Sequence, residues 1–335
     1  MSDKQVDEGQ ARRPQAGTPR HTLRVQALTP LAQGVRQLTL AHPEGRPLPG
    51  FEPGAHLDLH LPQGIVRAYS LISDAQDAAA GRYELAIGLD ANSRGGSRFV
   101  HTELKAATTL EVSAPRNHFP LADSEDPVLF IAGGIGVTPI RAMVRALQRR
   151  GTPWQLVYAA RSRASAAFVD EFEACGDAVR FHFDDERGGP LDVAAALAQA
   201  PAHAHIYCCG PAGLMERVKT LCSDRDPARV HFEWFQAPAQ EASAEGPQAF
   251  TLKLAKRGLE LQVPAQSSIL DVLEANDVII PSVCKEGVCG TCECRILSGE
   301  ADHRDVVLTD AERAANEVLM VCVSRAKGNC LVLDL

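Results

Sequence analysis

Apolar and polar positions alternate along the first third of the chain, from residue 21 to about residue 112. Runs with a two-residue period, separated by Gly and Pro turns, predict half-buried strands. One helix is predicted among them, from Gly95 to about Lys105, after a strand and a glycine pair. The whole pattern predicts a small antiparallel β-barrel, with these strands: VRQLTLAH, AHLDLHL, IVRAYSLI, RYELAIGL and TLEVS.

From Pro127 to Trp234 the pattern changes to apolar strands that alternate with helical periodicity, beginning with VLFIAGG and TPIRAMVRALQRR. Such alternation predicts a parallel sheet covered by helices on both faces. After a stretch without large apolar residues, FTLKLAKRGLELQVP predicts a hairpin that turns near Gly258, and SILDVLEAN predicts an amphipathic helix. Short strands follow a cysteine-rich loop, which indicates a compact α+β domain.

These changes of pattern divide the chain into several units, as its length of 335 residues also suggests. We expect a flexible tail at residues 1–20 and a barrel at residues 21–123. An α/β domain at residues 124–235, a linker at residues 236–248 and an α+β domain at residues 249–335 follow.

Charge and hydropathy exclude several classes of partner. The chain has 34 basic and 42 acidic side chains, a formal net charge of -8, which argues against a nucleic-acid surface or an anionic membrane. No apolar run has the length of a membrane span, and the first residues lack the apolar core of a secretion signal. We therefore expect a cytoplasmic protein, whose thiols stay reduced, so that clustered cysteines indicate metal or redox chemistry.

Four cysteines carry the most specific motif, C-x4-C-x2-C with a fourth cysteine 29 residues later: Cys284, Cys289, Cys292 and Cys322. This spacing is typical of a plant-type [2Fe–2S] cluster. The alternative is a four-thiolate zinc site, which usually has two C-x2-C pairs, whereas this chain has one. Gly287 and Gly290 allow the backbone to approach cluster sulfurs closely.

Two turns at the carboxyl ends of predicted parallel strands are candidates for binding a nucleotide. The first contains Gly133, Gly134 and Gly136, with Thr138 as a helix cap and Pro139 at the first helical position. The backbone amides of this turn could bind a pyrophosphate. The third glycine of the Rossmann motif is absent, so the alternative is a turn with a purely structural role. The second contains Cys209, Gly210 and Pro211 and should face the same crevice, with the Cys209 thiol against a nicotinamide or acting as a buried spacer.

The barrel offers a further candidate site. In IVRAYSLI the alternation places Arg67 and Tyr69 on one face and Ser70 on the other, unless the strand bends. Gly95, Gly96 and Ser97 open a helix and form a second anion site. Two such sites in adjoining domains imply two nucleotides.

Together these motifs resemble the ferredoxin–NADP reductase superfamily, and the domain order is similar to that of the phthalate dioxygenase reductase and vanillate O-demethylase reductase group. The resemblance implies a flavin domain, an NAD domain and a ferredoxin-like (β-grasp) domain, in that order. It implies that Arg67, Ala68, Tyr69 and Ser70 line FMN, that Gly95, Gly96 and Ser97 hold its phosphate, and that Thr138 and Cys209 flank the nicotinamide. Phe235 would lie near the flavin ring, which makes Ser70, Thr138, Cys209 and Phe235 the candidate catalytic residues.

The function implied is an NADH-dependent reductase, expected to be a monomer, which feeds a terminal Rieske-type oxygenase acting on aromatic acids. The alternatives are a reductase for a haem-thiolate or carnitine-type monooxygenase and a redox-sensing regulator. Arg161, Ser162 and Arg163 could instead pair with a 2′-phosphate, which favours NADPH on charge alone. The family favours NADH, which we expect.

Overall fold

The structure is a computed structural model that describes residues 20–237 and 248–335. Of the expected tail at residues 1–20, only Arg20 is described. Of the expected linker at residues 236–248, residues 238–247 lie outside the described part of the chain.

The first unit is a six-stranded antiparallel sheet in the order β4-β3-β6-β1-β2-β5. A bridge between Leu71 and Leu85 joins its two edges, which confirms the expected barrel. The first strand was not among the five predicted ones, because apolar alternation covers only its start, where Leu23 and Val25 are buried. The elements are β1 (Arg20–Ala32), β2 (Val35–Ala41), β3 (His56–His60), β4 (Val66–Ser70), α1 (Ala75–Ala79), β5 (Arg82–Gly88), α2 (Gly96–Thr102) and β6 (Thr109–Ser113).

The second unit is a five-stranded parallel sheet in the order β11-β10-β7-β8-β9. One apolar cluster packs α3 and α4 on one face, and another packs α6 and α7 on the other, which confirms the expected architecture. The elements are β7 (Val128–Gly133), α3 (Val137–Arg150), β8 (Trp154–Ala160), α4 (Val169–Glu173), β9 (Val179–Phe183), α5 (Asp184–Arg187), α6 (Val193–Leu197), β10 (His205–Cys209), α7 (Ala212–Leu221) and β11 (Val230–Glu233).

The third unit is a mixed five-stranded sheet in the order β13-β12-β18-β14-β16, with a two-stranded ribbon of β15 and β17. The hairpin turns at Gly258, where φ is +63°, as expected. Ser268 and Asp271 form a capping box that starts the expected helix. The elements are β12 (Phe250–Leu254), β13 (Leu259–Val263), α8 (Ile269–Ala275), β14 (Glu293–Ser298), β15 (Ala301–Asp302), α9 (Asp310–Ala315), β16 (Val318–Met320), β17 (Arg325–Ala326) and β18 (Cys330–Leu333).

Side-chain contacts join the three units. The buried Arg141 of α3 donates to the carbonyl of Ile72 at 2.6 Å and to the carboxylate of Glu171 at 2.8 Å, which ties the barrel to the parallel sheet. Val288 and Val306 of the third unit pack against the apolar cluster that contains Trp234. Within the described ranges, no helix is both long and apolar enough to cross a membrane.

Candidate active site

A cavity of about 540 Å³ lies where the three units meet. This volume falls within the range of about 300–1,000 Å³ that small-molecule and cofactor sites occupy. Eight of the expected site residues outside the cysteine set line it: Arg67, Ala68, Tyr69, Ser70, Gly96, Ser97, Thr138 and Phe235. Cys284 and Cys289 reach the same cavity from the third unit.

One wall of the cavity is strand β4. A Cβ atom on Gly96 would lie 2.6 Å from Cγ of Arg67 and 3.3 Å from the Tyr69 hydroxyl, so both side chains lie beside the glycine turn, on one face of the strand. Arg67 donates to the carbonyl of Val66 at 2.7 Å and to that of Arg94 at 2.8 Å, which fixes its guanidinium. Burial raises the pKa of Tyr69 to about 12, although Arg67 opposes this, so the phenol keeps its proton.

The expected phosphate turn opens helix α2. Gly95 is the residue before the helix. Its φ of +97° is a backbone conformation that residues with a side chain rarely adopt. The Ser97 hydroxyl donates to Ser93 Oγ at 2.9 Å and accepts from the amide of Asp90 at 3.2 Å. Two hydrogen bonds of the Ser97 hydroxyl therefore hold the turn. The side chains of Arg67 and Tyr69 fit beside Gly96 because glycine lacks a side chain.

Ser70 contacts a carboxyl group that the sequence patterns did not single out. Ser70 is 4% exposed, and its hydroxyl donates to Oε2 of Glu233 at 3.5 Å, a long hydrogen bond that links strand β4 to strand β11. Burial raises the pKa of Glu233 to about 8, although the Ser70 hydroxyl opposes this. Near neutral pH the cavity therefore contains a protonated carboxyl group beside Ser70.

His56 is a second residue that the patterns did not single out. It pairs with Ser70 across strands β3 and β4, lines the cavity and is 5% exposed. Burial lowers the pKa of His56 well below its usual value, with smaller contributions from His118 and Arg116. Its ring packs edge-on against His118 at 5.3 Å between centroids, so two imidazole rings border the cavity.

The two nucleotide turns touch each other. A Cβ atom on Gly133 would lie 2.6 Å from Cδ of Pro211 and 3.3 Å from Cα of Gly210. A Cβ atom on Gly136 would lie 2.2 Å from the carbonyl oxygen of Cys209. The structure thus brings the turns together at one edge of the sheet, and their glycines permit this close approach.

The start of helix α3 corrects two expectations. Gly136, and not Thr138, precedes the helix, which begins at Val137, so Pro139 is its third residue and not its first. The Thr138 hydroxyl donates to the carbonyl of Ile135 at 2.9 Å and makes no capping bond, because a short 3-10 turn at residues 134–136 leads into the helix. Thr138 is 2% exposed but still lines the cavity, whereas Gly134 has a φ of +54° and lies outside it.

Cys209 and Phe235 differ in their access to the cavity. Cys209 is fully buried, and burial raises the pKa of its thiol well above the usual value, with a smaller contribution from Glu233. It pairs with Glu233 across parallel strands and lies behind the cavity wall. Phe235 is 38% exposed, lines the cavity and lies two residues after the end of strand β11, so its ring is available to cover a bound ligand.

The loop after strand β8 is held by contacts with its neighbours, and one of its two arginines pairs with an acidic residue. Arg163 forms an ion pair with Glu173 at 2.6 Å, and its guanidinium lies 5.1 Å from the ring centroid of Phe183. The Ser162 hydroxyl accepts from the amide of Ser165 in a capping box, and the Arg161 carbonyl accepts from the amide of Asp185 at 3.1 Å. The loop is therefore structured by its own contacts and adjoins acidic residues, which disfavours an additional phosphate there.

The four motif cysteines lie in one loop and the segment after strand β16. The Cys284 thiol interacts with those of Cys289 and Cys322, and Cys322 also contacts Cys292. The hydrogen bond with Cys284, followed by burial, raises the pKa of Cys289 well above its usual value, so a charged thiolate needs a compensating cation. The Cys284 sulfur accepts from the amide of Glu286 at 3.3 Å.

The loop geometry fits a two-iron cluster. Gly287 and Gly290 have φ values of +71° and +68°, and a Cβ on Gly287 would lie 2.6 Å from a methyl carbon of Val323. Within residues 20–237 and 248–335, no three His, Cys, Asp or Glu groups converge as ligands of a single metal ion do. A two-iron cluster divides four thiolates between two irons, so its ligands need not meet at one point.

Comparisons with known proteins agree with this geometry. Residues 130–220 match the family profile of the oxidoreductase NAD-binding domain, and residues 252–327 match that of the 2Fe-2S iron-sulfur cluster binding domain. The chain is 45% identical over 314 residues to phenoxybenzoate dioxygenase subunit beta of Ectopseudomonas oleovorans, covering 94% of this chain and 97% of that protein. It is 42% identical over 319 residues to vanillate O-demethylase oxidoreductase of Pseudomonas sp. (strain HR199 / DSM 7063), covering 93% and 98%.

A solved structure is also similar over the full length. The crystal structure of phthalate dioxygenase reductase, described as a modular structure for electron transfer from pyridine nucleotides to [2Fe-2S], superimposes with a TM-score of 0.68 at 38% identity. The match covers 94% of this chain and 98% of that one.

Fold, cavity and cysteine loop define an iron–sulfur flavoprotein oxidoreductase with an NAD-binding domain and a [2Fe–2S] cluster binding domain. The chain belongs to the phthalate dioxygenase reductase and vanillate O-demethylase reductase family.

Proposed function

We propose that this chain is the reductase component of a multicomponent oxygenase and passes electrons from NADH to a terminal Rieske-type oxygenase that acts on aromatic acids. The observation that carries the proposal is the single cavity at which the flavin wall, Thr138 of the nucleotide turn and Cys284 and Cys289 of the cysteine loop meet. The names of the relatives support the partner class, since they include the dioxygenase subunit and the demethylase oxidoreductase described above.

The three bound groups supply complementary chemistry: nicotinamide gives two electrons as hydride, FMN accepts the pair and releases electrons singly, and the cluster takes one at a time. The protein contributes positioning. We assign the FMN wall to Arg67, Ala68, Tyr69 and Ser70, the FMN phosphate to Gly95, Gly96 and Ser97, and the nicotinamide dinucleotide to Gly133, Gly134, Gly136, Thr138, Pro139, Arg161, Ser162, Cys209, Gly210 and Pro211. We assign the cluster to Cys284, Cys289, Cys292 and Cys322.

Each catalytic candidate has a role that follows from its place. The Ser70 hydroxyl points from strand β4 toward Glu233 and can present a hydrogen bond to the flavin ring. Thr138 lines the nucleotide side of the cavity, and the buried Cys209 supports that wall from behind. The partly exposed Phe235 lines the cavity, and its ring would shield a bound ligand from water.

NADH remains the proposed donor for a structural reason. The ion pair between Arg163 and Glu173 engages the guanidinium that a 2′-phosphate would need. The acidic helix α5 begins one residue after strand β9, and its Asp185 amide bonds to Arg161. Negative charge next to the loop opposes a 2′-phosphate.

Two finer properties also belong to the proposal. We expect a monomer, because the three units assemble the cavity within one chain and no second copy is needed to complete it. We expect action in the cytoplasm, where NADH and reduced thiols are maintained.

The proposal is tested by comparing the rates at which NADH reduces two different electron acceptors. Ferricyanide can take electrons from flavin, whereas cytochrome c and the oxygenase are expected to draw them through the cluster. Cys289→Ser should retain yellow flavin and ferricyanide reduction but lose cytochrome c reduction. The matched control is Cys294→Ser, a buried cysteine on strand β14 outside the motif, which should retain both activities. Equal cytochrome c reduction by Cys289→Ser and wild type would remove the cluster from the electron path.

A further inference from the structure

The Arg94 side chain attaches the cysteine loop to the flavin unit. Arg94 Nη1 forms an ion pair with Oε1 of Glu286 at 2.9 Å and donates to the carbonyl oxygen of Cys284 at 3.4 Å. The residues are 190 or more positions apart in sequence, and Cys284 is the first cysteine of the motif. One guanidinium therefore contacts two neighbouring points of the loop that holds the proposed cluster.

Arg94 is also part of the flavin side of the cavity wall. It immediately precedes Gly95, and its carbonyl oxygen accepts from Nη2 of Arg67 at 2.8 Å. The contacts thus run without interruption from Arg67 on strand β4, through the backbone of Arg94, to its side chain and the cysteine loop. A displacement of the loop must break the Arg94 contact.

Other residues of the loop make different contacts. Gly290 packs against His118, since a Cβ there would lie 2.8 Å from the ring carbon Cε1. Lys285, the residue before Glu286, pairs at 3.0 Å with Glu274 inside the third unit. Of these charged neighbours in the loop, Glu286 is the one that bridges to the flavin unit.

We propose that the Arg94–Glu286 pair is a positioning device that holds the cysteine loop against the flavin wall and thereby sets the rate at which electrons leave through the loop. Neither residue touches the reacting atoms. Placement matters because small displacements between reacting groups change rates strongly. The proposal rests on the function proposed above, since it requires the loop to be the electron outlet.

The pair is partly exposed, with 51% of the Arg94 and 30% of the Glu286 side chain accessible to solvent. An exposed ion pair contributes modestly and is screened by salt. The expected effect of breaking it is therefore about two- to fivefold, which is within reach of a double-mutant cycle.

The test uses the full-length holoprotein and the variants Arg94→Gln, Glu286→Gln, their double variant and the charge-reversed pair Arg94→Glu with Glu286→Arg. Hydrogen–deuterium exchange of the segment 282–291 reports loop attachment without turnover. Each single variant should exchange about two- to fivefold faster there, the double variant no faster than the singles, and the reversed pair close to wild type. High salt should reduce the difference between wild type and Glu286→Gln.

Turnover gives the second readout. NADH–cytochrome c reduction by Glu286→Gln should fall about two- to fivefold, while its NADH–ferricyanide reduction stays at the wild-type rate. The matched control is Lys285→Gln, which breaks a pair within the third unit and should change neither readout. Visible absorbance of the cluster checks that every variant is loaded.

The outcomes separate the two proposals. If both single variants behave like Lys285→Gln, or if charge reversal restores nothing, the positioning role is wrong while the electron route stands. If wild type itself contains no cluster or does not reduce cytochrome c with NADH, the proposed function fails first.

Discussion

Replacing Glu233 by Gln tests whether the carboxyl group beside Ser70 governs electron uptake. The pKa of Glu233, raised by burial to about 8, means that roughly nine-tenths of the molecules hold the carboxyl proton at pH 7. Gln keeps the shape and a hydrogen-bond donor but cannot ionise. The variant therefore mimics the neutral form at every pH.

The assay is the pH dependence of kcat for NADH–ferricyanide reduction between pH 6 and 10. Accepting hydride brings negative charge into the cavity, and a carboxylate 3.5 Å from the Ser70 hydroxyl opposes it. Wild type should hold its rate up to about pH 8 and then lose up to about tenfold per pH unit. Glu233→Gln should be nearly flat and close to the wild-type plateau.

A matched control is Glu84→Gln. Burial also raises the pKa of Glu84, with Asp77 contributing, but this carboxyl group does not line the cavity. Its removal should leave the wild-type profile unchanged. An inflection near pH 8 that persists in Glu233→Gln, or a wild-type rate that is flat up to pH 10, would refute the reasoning.

Three further predictions concern cofactor choice, stability and modularity. Glu173→Gln should release Arg163 and raise kcat/KM for NADPH relative to NADH by about three- to tenfold, measured by initial rates, whereas an unchanged ratio would contradict the role of the ion pair. Arg116→Met should destabilise the barrel by about 3–5 kcal/mol in urea unfolding, because it leaves the Asp58 carboxylate buried without its ion-pair partner. Asp58 lies 2.6 Å from Arg116, and its side chain is 3% exposed. A loss of stability below about 1 kcal/mol would contradict this prediction. A fragment ending at residue 237 should bind flavin and reduce ferricyanide with NADH but not cytochrome c, and loss of flavin would mean that the third unit helps to build the flavin site.

Local patterns were sufficient to predict much of the fold and the motif-bearing parts of the site. Strand alternation in IVRAYSLI correctly placed Arg67 and Tyr69 together, because successive residues of a strand face opposite sides. Strand-to-helix alternation correctly predicted the parallel sheet and its two helical layers. The cysteine spacing is equally local, since three of the four thiols lie within nine residues.

Features that depend on distant segments were missed. Glu233 has no motif of its own, and burial, which raises its pKa, exists only in the folded chain. Its hydrogen-bond partner Ser70 is 163 positions away. The Arg94–Glu286 pair was missed for the same reason, because its two residues are distant in sequence. Helix ends were also misjudged where backbone conformation overrides composition: Gly136, and not Thr138, precedes helix α3, because a short 3-10 turn leads into it.

Electrons from NADH should reach a [2Fe–2S] cluster held by Cys284, Cys289, Cys292 and Cys322. Anaerobic reduction of the full-length protein with NADH, followed by electron paramagnetic resonance and metal analysis, tests this. We expect two irons per chain and the rhombic signal of a reduced [2Fe–2S] centre, absent from Cys289→Ser and retained by Cys294→Ser. Stoichiometric zinc without that signal would exclude the cluster, because zinc has no redox chemistry.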